Sequence, residues 1–162
     1  MNLFADIRAL VLSDIVAMSK ASIIPNGLAT NNVTVEPPRD AAHGDMSTNA
    51  AMVLAKPTGM KPREIAEALA ERLLKDPRII SAEVAGPGFL NLRLSPVVWQ
   101  GLIAAILGAG TAFGRSNVGQ GIKVNIEFVS ANPTGPLHVG HTRGAVFGDA
   151  LASLLDFAGY VV

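Results

Sequence analysis

Apolar positions recur every three to four residues over 3–18, where Leu3, Phe4, Ile7, Leu10, Val11, Ile15 and Met18 share one side. That period predicts an amphipathic helix. A Gly- and Asn-rich loop at 26–32 follows, then a short strand at 33–36 that Pro37-Pro38 ends. His43-Gly44-Asp45 reads as a turn, and Asp45 or Ser47 is placed to cap a helix over 48–55 that Pro57 stops. Pro62 suits the first turn of another helix, since its missing N–H would be unpaired there anyway. Ile65, Ala66, Leu69, Ala70, Leu73 and Leu74 make its apolar side, and Pro77 ends it.

The period then falls to two. Strands at 79–85 and 88–94 flank Gly86-Pro87-Gly88. In the second strand Leu90, Leu92 and Leu94 share one face, and Phe89, Asn91 and Arg93 the other. Ser95-Pro96 opens an apolar helix to about 107, and the small, Gly-rich residues that follow read as a linker. Beyond it, Val124, Ile126 and Phe128 alternate with Lys123, Asn125 and Glu127, which predicts a strand over 123–129. A turn-rich loop leads to a helix at 139–158 with Phe147, Leu151, Leu154, Leu155 and Ala158 on one face. Gly159 is placed to end it, and Tyr160-Val161-Val162 opens a second strand. The order strand–loop–helix–strand begins a doubly wound α/β sheet. The expected fold is thus an α+β domain, a small antiparallel sheet with helices, at 1–110. A linker at 111–121 leads to the truncated start of a Rossmann-like α/β domain at 122–162.

Composition narrows the choice of function. The chain has 162 residues and no cysteine, which excludes disulfides and thiol chemistry. Thirteen Lys and Arg balance thirteen Asp and Glu, so any nucleic-acid contact must be local rather than a broad basic surface. No apolar run approaches the roughly eighteen residues of a membrane span. Asp6 and Arg8 inside the first amphipathic pattern argue against a signal peptide, and a cytoplasmic protein without membrane attachment is expected.

The loop before the last helix runs Ser130-Ala-Asn-Pro-Thr-Gly-Pro-Leu-His138-Val-Gly-His141. Two imidazoles three residues apart on a first helical turn share a face. The unpaired N–H groups and dipole of that helix end favour a phosphate. Gly140 between them lets a flat ring approach the backbone. A metal pair is disfavoured, because the only other histidine is His43 and there is no cysteine; no metal site is expected. The plain alternative is a pair of solvated helix-surface residues.

His138-Val-Gly-His141 resembles the HIGH signature of class I aminoacyl-tRNA synthetases, shared in looser form by related nucleotidyltransferases. The longer stretch from Glu127 through Ser130, Asn132 and His141 to Gly144 is similar to the arginine enzymes in particular, and the region before it resembles their amino-terminal tRNA-binding extension. The resemblance implies a ligase that joins arginine to an arginine-specific tRNA at the expense of ATP, with Mg2+ and without a tightly bound cofactor. It implies that His138, Gly140 and His141 contact ATP, with the two histidines catalytic. It implies further that Glu127, Ser130, Asn132 and His141 hold arginine; by spacing alone Glu127 is equally a solvated strand residue. Gly135 stands where many arginine enzymes carry Lys, and by this likeness the parent protein keeps a full lysine-rich KMSK loop downstream.

Ala85-Gly-Pro-Gly-Phe89-Leu-Asn91 resembles the segment with which these enzymes read a D-loop nucleotide of tRNA. Phe89 would stack, Asn91 would hydrogen-bond the base, and Arg93 adds a phosphate contact along the same face. An Asn found in some relatives is replaced at Ala85 or Gly86. His43-Gly44-Asp45 and Asn49 also resemble family positions, where contact and capping are not separable by sequence. The bland reading makes Phe89 a packed ring and Arg93 a solvated charge. A non-catalytic tRNA-binding module is the alternative function, and a small-molecule nucleotidyltransferase a more distant one. A chain cut within the second fold is expected to be inactive alone. Its segment 122–162 is expected to be disordered, to fold back on the first domain, or to self-associate.

Overall fold

The structure, a computed structural model, describes residues 2–162. Two compact units divide at Gly108 and Ala109.

In the first unit, helix α1 (Leu3–Lys20) starts where the Asn2 side chain accepts from the Ala5 N–H. Its buried stripe is Ile7, Val11, Ile15 and Met18. Strand β1 (Val35–Glu36) keeps the last two residues of the 33–36 expectation. Strand β2 (Met46–Thr48) was not expected; a helix cap was. Met46 and Thr48 are buried and Ser47 lies between them, an alternation of only three residues that no window of helical period can resolve. Asp45 and Ser47 therefore do not cap the next helix. The Asp45 carboxylate instead accepts from the Leu94 N–H at 2.7 Å.

Helix α2 (Ala50–Thr58) runs through Pro57 rather than stopping before it. The proline sits in the last turn, where one lost N–H bond is tolerable, and Gly59 ends the helix in the left-handed region at φ 69°. Helix α3 (Pro62–Leu73) has Pro62 in its first turn, as expected, and ends before Pro77. Strands β3 (Ile79–Ala85) and β4 (Phe89–Leu94) form the hairpin that period two predicted. The sheet order is β1-β2-β4-β3, antiparallel throughout. Leu90, Leu92 and Leu94 of β4 are buried with the stripes of α1, α2 and α3. Phe89 and Arg93 are exposed on the other face of the sheet. Helix α4 (Pro96–Ala109) buries none of its residues.

The second unit is built around helix α5 (Val139–Phe157). The expected strand at 123–129 is reduced to one parallel bridge, Lys123 with Val161. A strand is a ladder, and no further ladder partner exists among the described residues. The bridge is parallel, as strands flanking a crossover helix should be. Phe128 lies against Gly148 of α5, where any larger residue would overlap the ring. The stretch expected to be a linker is instead tied to the end of α5. Ser116, Gly119 and Gly121 donate backbone N–H bonds to the carbonyls of Phe157, Ala158 and Gly159. Arg115 Nη2 adds an ion pair to Asp156 at 3.1 Å. Small residues were needed there for close backbone approach rather than for flexibility: Gly119 is pressed against the Tyr160 ring.

Candidate nucleotide and RNA sites

The first site lies on the open face of the four-stranded sheet. A cleft of about 440 Å3 is lined by Phe89 and Asn91 of β4, Ser47 of β2, Glu36 of β1 and the segment Pro37-Pro38-Arg39 with His43. Such a volume falls in the range of roughly 300–1,000 Å3 usual for ligand sites. The wall with Arg39 and His43 is fixed onto the floor at Gly44, whose φ is 115°. A Cβ there would stand 2.6 Å from the Leu92 carbonyl oxygen, so only glycine permits the approach. Asp40 caps the following short 3-10 turn by accepting from the Ala42 N–H.

The structure thus brings Phe89 and Asn91 together. Arg93 shares their sheet face but does not line the cleft; its cross-strand partner is Ser81. Asn49, which sequence left between contact and capping, is consumed internally: Oδ1 accepts from the Thr34 N–H and Nδ2 donates to the Asn32 carbonyl. It is a loop clamp that also forms part of the cleft wall. Glu36 and Arg39 escaped sequence reading. The alternation of buried Val33 and Val35 with outward Thr34 and Glu36 was the available signal.

The second site is the start of α5. His138 is its N-cap; Nδ1 accepts from the Gly140 N–H at 3.1 Å. His141 Nδ1 in turn accepts from the His138 N–H at 3.2 Å. The two imidazoles thus make a reciprocal capping box, and their rings stack with centroids 3.8 Å apart. Nitrogens that accept hydrogen bonds carry no proton, so each neutral ring is protonated at Nε2. Both Nε2–H groups are then donors left for a ligand. Gly140 has a nearer reason than a ligand: a Cβ would stand 3.0 Å from His138 Cε1.

Upstream, Ser130 Oγ donates to Glu127 Oε1 at 2.6 Å, joining two of the expected arginine contacts. Asn132 is exposed on the loop between them and His138. Val129, between Glu127 and Ser130's turn, has φ 60°. A β-branched residue in that region costs on the order of 1–3 kcal/mol, strain of the kind that gathers at functional loops. Among the described residues no group of three or more His, Asp or Glu side chains could hold a metal ion. No helix among them is long and apolar enough to cross a membrane.

A two-histidine helix start after a strand-like segment, following an α+β domain, is the arrangement of a class I tRNA synthetase, and residues 103–162 match the model "tRNA synthetases class I (R), catalytic domain". Residues 7–94, over half of the chain, match the model "Arginyl tRNA synthetase N terminal domain". The chain belongs to the arginyl-tRNA synthetase family.

It is 71% identical over all 162 residues to an arginine–tRNA ligase of a Ruegeria species and 69% identical to that of Paracoccus denitrificans. In each case it spans 28% of the relative's length. The arginyl-tRNA synthetase of Thermus thermophilus is similar in structure over 98% of this chain and 24% of its own, with a TM-score of 0.62 and 27% identity. The Plasmodium falciparum enzyme shares the fold at a TM-score of 0.68 and 17% identity, over 98% of this chain and 29% of its own.

Proposed function

We propose that the chain supplies the tRNA-reading domain and the ATP-binding helix start of an arginine–tRNA ligase, in a cytoplasmic protein of the relatives' length. The single observation that carries the reading is the imidazole capping box of α5, which ties both Nδ1 atoms to backbone N–H groups and leaves two Nε2–H donors at a positive helix end. Arginine, ATP with Mg2+ and an arginine-specific tRNA are the partners.

In the reaction, arginine's carboxylate attacks the α-phosphorus of ATP, arginyl-adenylate forms and pyrophosphate leaves; the arginyl group then passes to the tRNA 3′ end. His138 and His141 donate from Nε2 to phosphate oxygens whose charge grows in the transition state. Their Nδ1 atoms are occupied by backbone N–H groups, so the donors are pre-oriented and pay no reorganisation. Glu127 offers a carboxylate to arginine's guanidinium, with Ser130 Oγ holding it in place and Asn132 beside them on the loop. At the sheet cleft, Phe89 stacks on an unpaired D-loop base and Asn91 bonds its edge, while Arg93 contacts the backbone farther along the same face. The domains follow as tRNA recognition at 1–110 and the start of the catalytic domain from 122, with 111–121 bracing it.

The test is aminoacylation by the full-length protein with His138→Ala or His141→Ala. Loss of a preorganised donor should lower kcat by at least about 100-fold with the protein still folded. Unchanged kcat would refute the assignment. Direct binding of tRNA by residues 1–162 with Phe89→Ala tests the RNA half, and retains meaning whatever the chemistry does.

A further inference from the structure

We propose that Glu36 sets base specificity in the sheet cleft, selecting a base whose edge carries an exocyclic amino group over uracil, while Arg39 takes the adjoining phosphate. This rests on the cleft being the RNA-reading site.

The strand register places Glu36 beside Ser47, Ser47 beside Asn91, and Asn91 beside Glu83, one polar row across all four strands. Directly opposed residues in antiparallel strands have Cβ atoms about 4.5–5.5 Å apart. Of this row, Glu36, Ser47 and Asn91 line the cleft, together with Phe89 on the same face. Neighbouring polar side chains are spent on the fold: Asn49 on Thr34 and Asn32, Asp45 on Leu94, Asp40 on Ala42. Glu36, Arg39, Ser47 and Asn91 have no such side-chain partner among the described residues. A carboxylate, a hydroxyl and an amide left unpaired in a concave, partly apolar site gain most from a ligand that supplies hydrogen-bond donors.

An acceptor with full negative charge is a selective reader. Adenine, cytosine and guanine each offer an exocyclic amino group to it. On uracil the single edge N–H lies between two carbonyl oxygens, which a carboxylate repels. The same charge keeps phosphate off the floor of the cleft, so the backbone must pass at the rim. Arg39, in the wall of the cleft, is exposed and free of any ion pair among the described residues. Its planar guanidinium suits a phosphate. The Gly44 approach to Leu92 fixes the wall beside the floor, so the cleft is preformed.

The test measures binding of the 162-residue chain to arginine-tRNA transcripts in which each unpaired D-loop position carries each of the four bases in turn. At the position whose identity matters, the unaltered chain should prefer amino-bearing bases over uridine by about tenfold, the scale of one charged hydrogen bond. Glu36→Gln, which can both donate and accept, should bring that ratio to about twofold or less without loss of folding. Arg39→Gln should weaken all transcripts alike and lower the salt slope by about one. Phe89→Ala separates the two levels. If it weakens binding while Glu36→Gln leaves the base ratio unchanged, the Glu36 role is overturned and the RNA site stands. If Phe89→Ala changes nothing, the RNA site itself falls, and the Glu36 role with it.

Discussion

Between Ile7 and Leu94 the chain buries twenty apolar side chains in one cluster, with Ile7, Leu54, Leu69 and Leu92 fully enclosed. From Ala109 to Val162 only Gly119 and Gly148 are buried. Phe147 and Leu154, on the face that helical period marks as apolar, are 71% and 64% exposed. The two units therefore hold their shape by different means. The first is a hydrophobic core closed by three helices over a sheet. The second is a helix with its flanking segments laced on by backbone hydrogen bonds, the Arg115–Asp156 pair and two glycine contacts. A core stabilises by about 1.5–3 kcal/mol per large side chain buried, which hydrogen bonds exposed to water cannot match. The lesson is that a unit with a closed core and a helix held by its flanking segments are built differently, and α5 keeps an apolar face that its own unit does not cover.

That contrast can be broken by mutation. Leu69→Ala should destabilise the first unit most, by about 3 kcal/mol in denaturant unfolding; a cost below about 1 kcal/mol would mean its core is not closed. Phe89→Ala should leave stability nearly unchanged and cost about 1–3 kcal/mol of tRNA affinity, because the ring is exposed and available for stacking. A large stability loss in thermal melting would instead make the ring structural.

Asp76→Ala should cost on the order of 1 kcal/mol, since its carboxylate holds the Arg78 N–H, Nε and Nη2 at 2.8–2.9 Å where α3 turns into β3. The side-chain bonds from Arg78 hold the Asp76 carboxyl below its ordinary value, against a smaller opposing effect of burial. With the folded value depressed, this contribution is full above the unfolded carboxylate pKa near 4 and is lost as pH falls through the folded one. Acid titration of stability should therefore differ between the wild type and Asp76→Ala only above that range.

Leu154→Ala should be smallest, below about 0.5 kcal/mol in this chain. In a protein of the relatives' length the same change should cost several-fold more if a further segment covers α5. Equal small costs in both would show that this face stays open.

Much of this was legible along the chain. The hairpin of β3 and β4 and helices α1, α3 and α5 follow from period and punctuation, because each is long enough to show its repeat. β2 was hidden, since three residues carry no period, and Asp45 next to it looked like a cap until Leu94 claimed its carboxylate. The histidine pair was legible as a motif, but not its mutual capping. Glu36 and Arg39 could be read only as a strand residue and a loop charge.

The sequence by itself determined the family, the longer elements and the candidate residues for chemistry, because these rest on local spacing and on side-chain type. Only the tertiary structure decided which of them meet. It set Glu36, Ser47 and Asn91 in one row, fixed the wall of the cleft at Gly44, and turned a supposed linker into a brace for α5. Those pairings join residues far apart in the chain, and no local repeat records a distance that only packing sets.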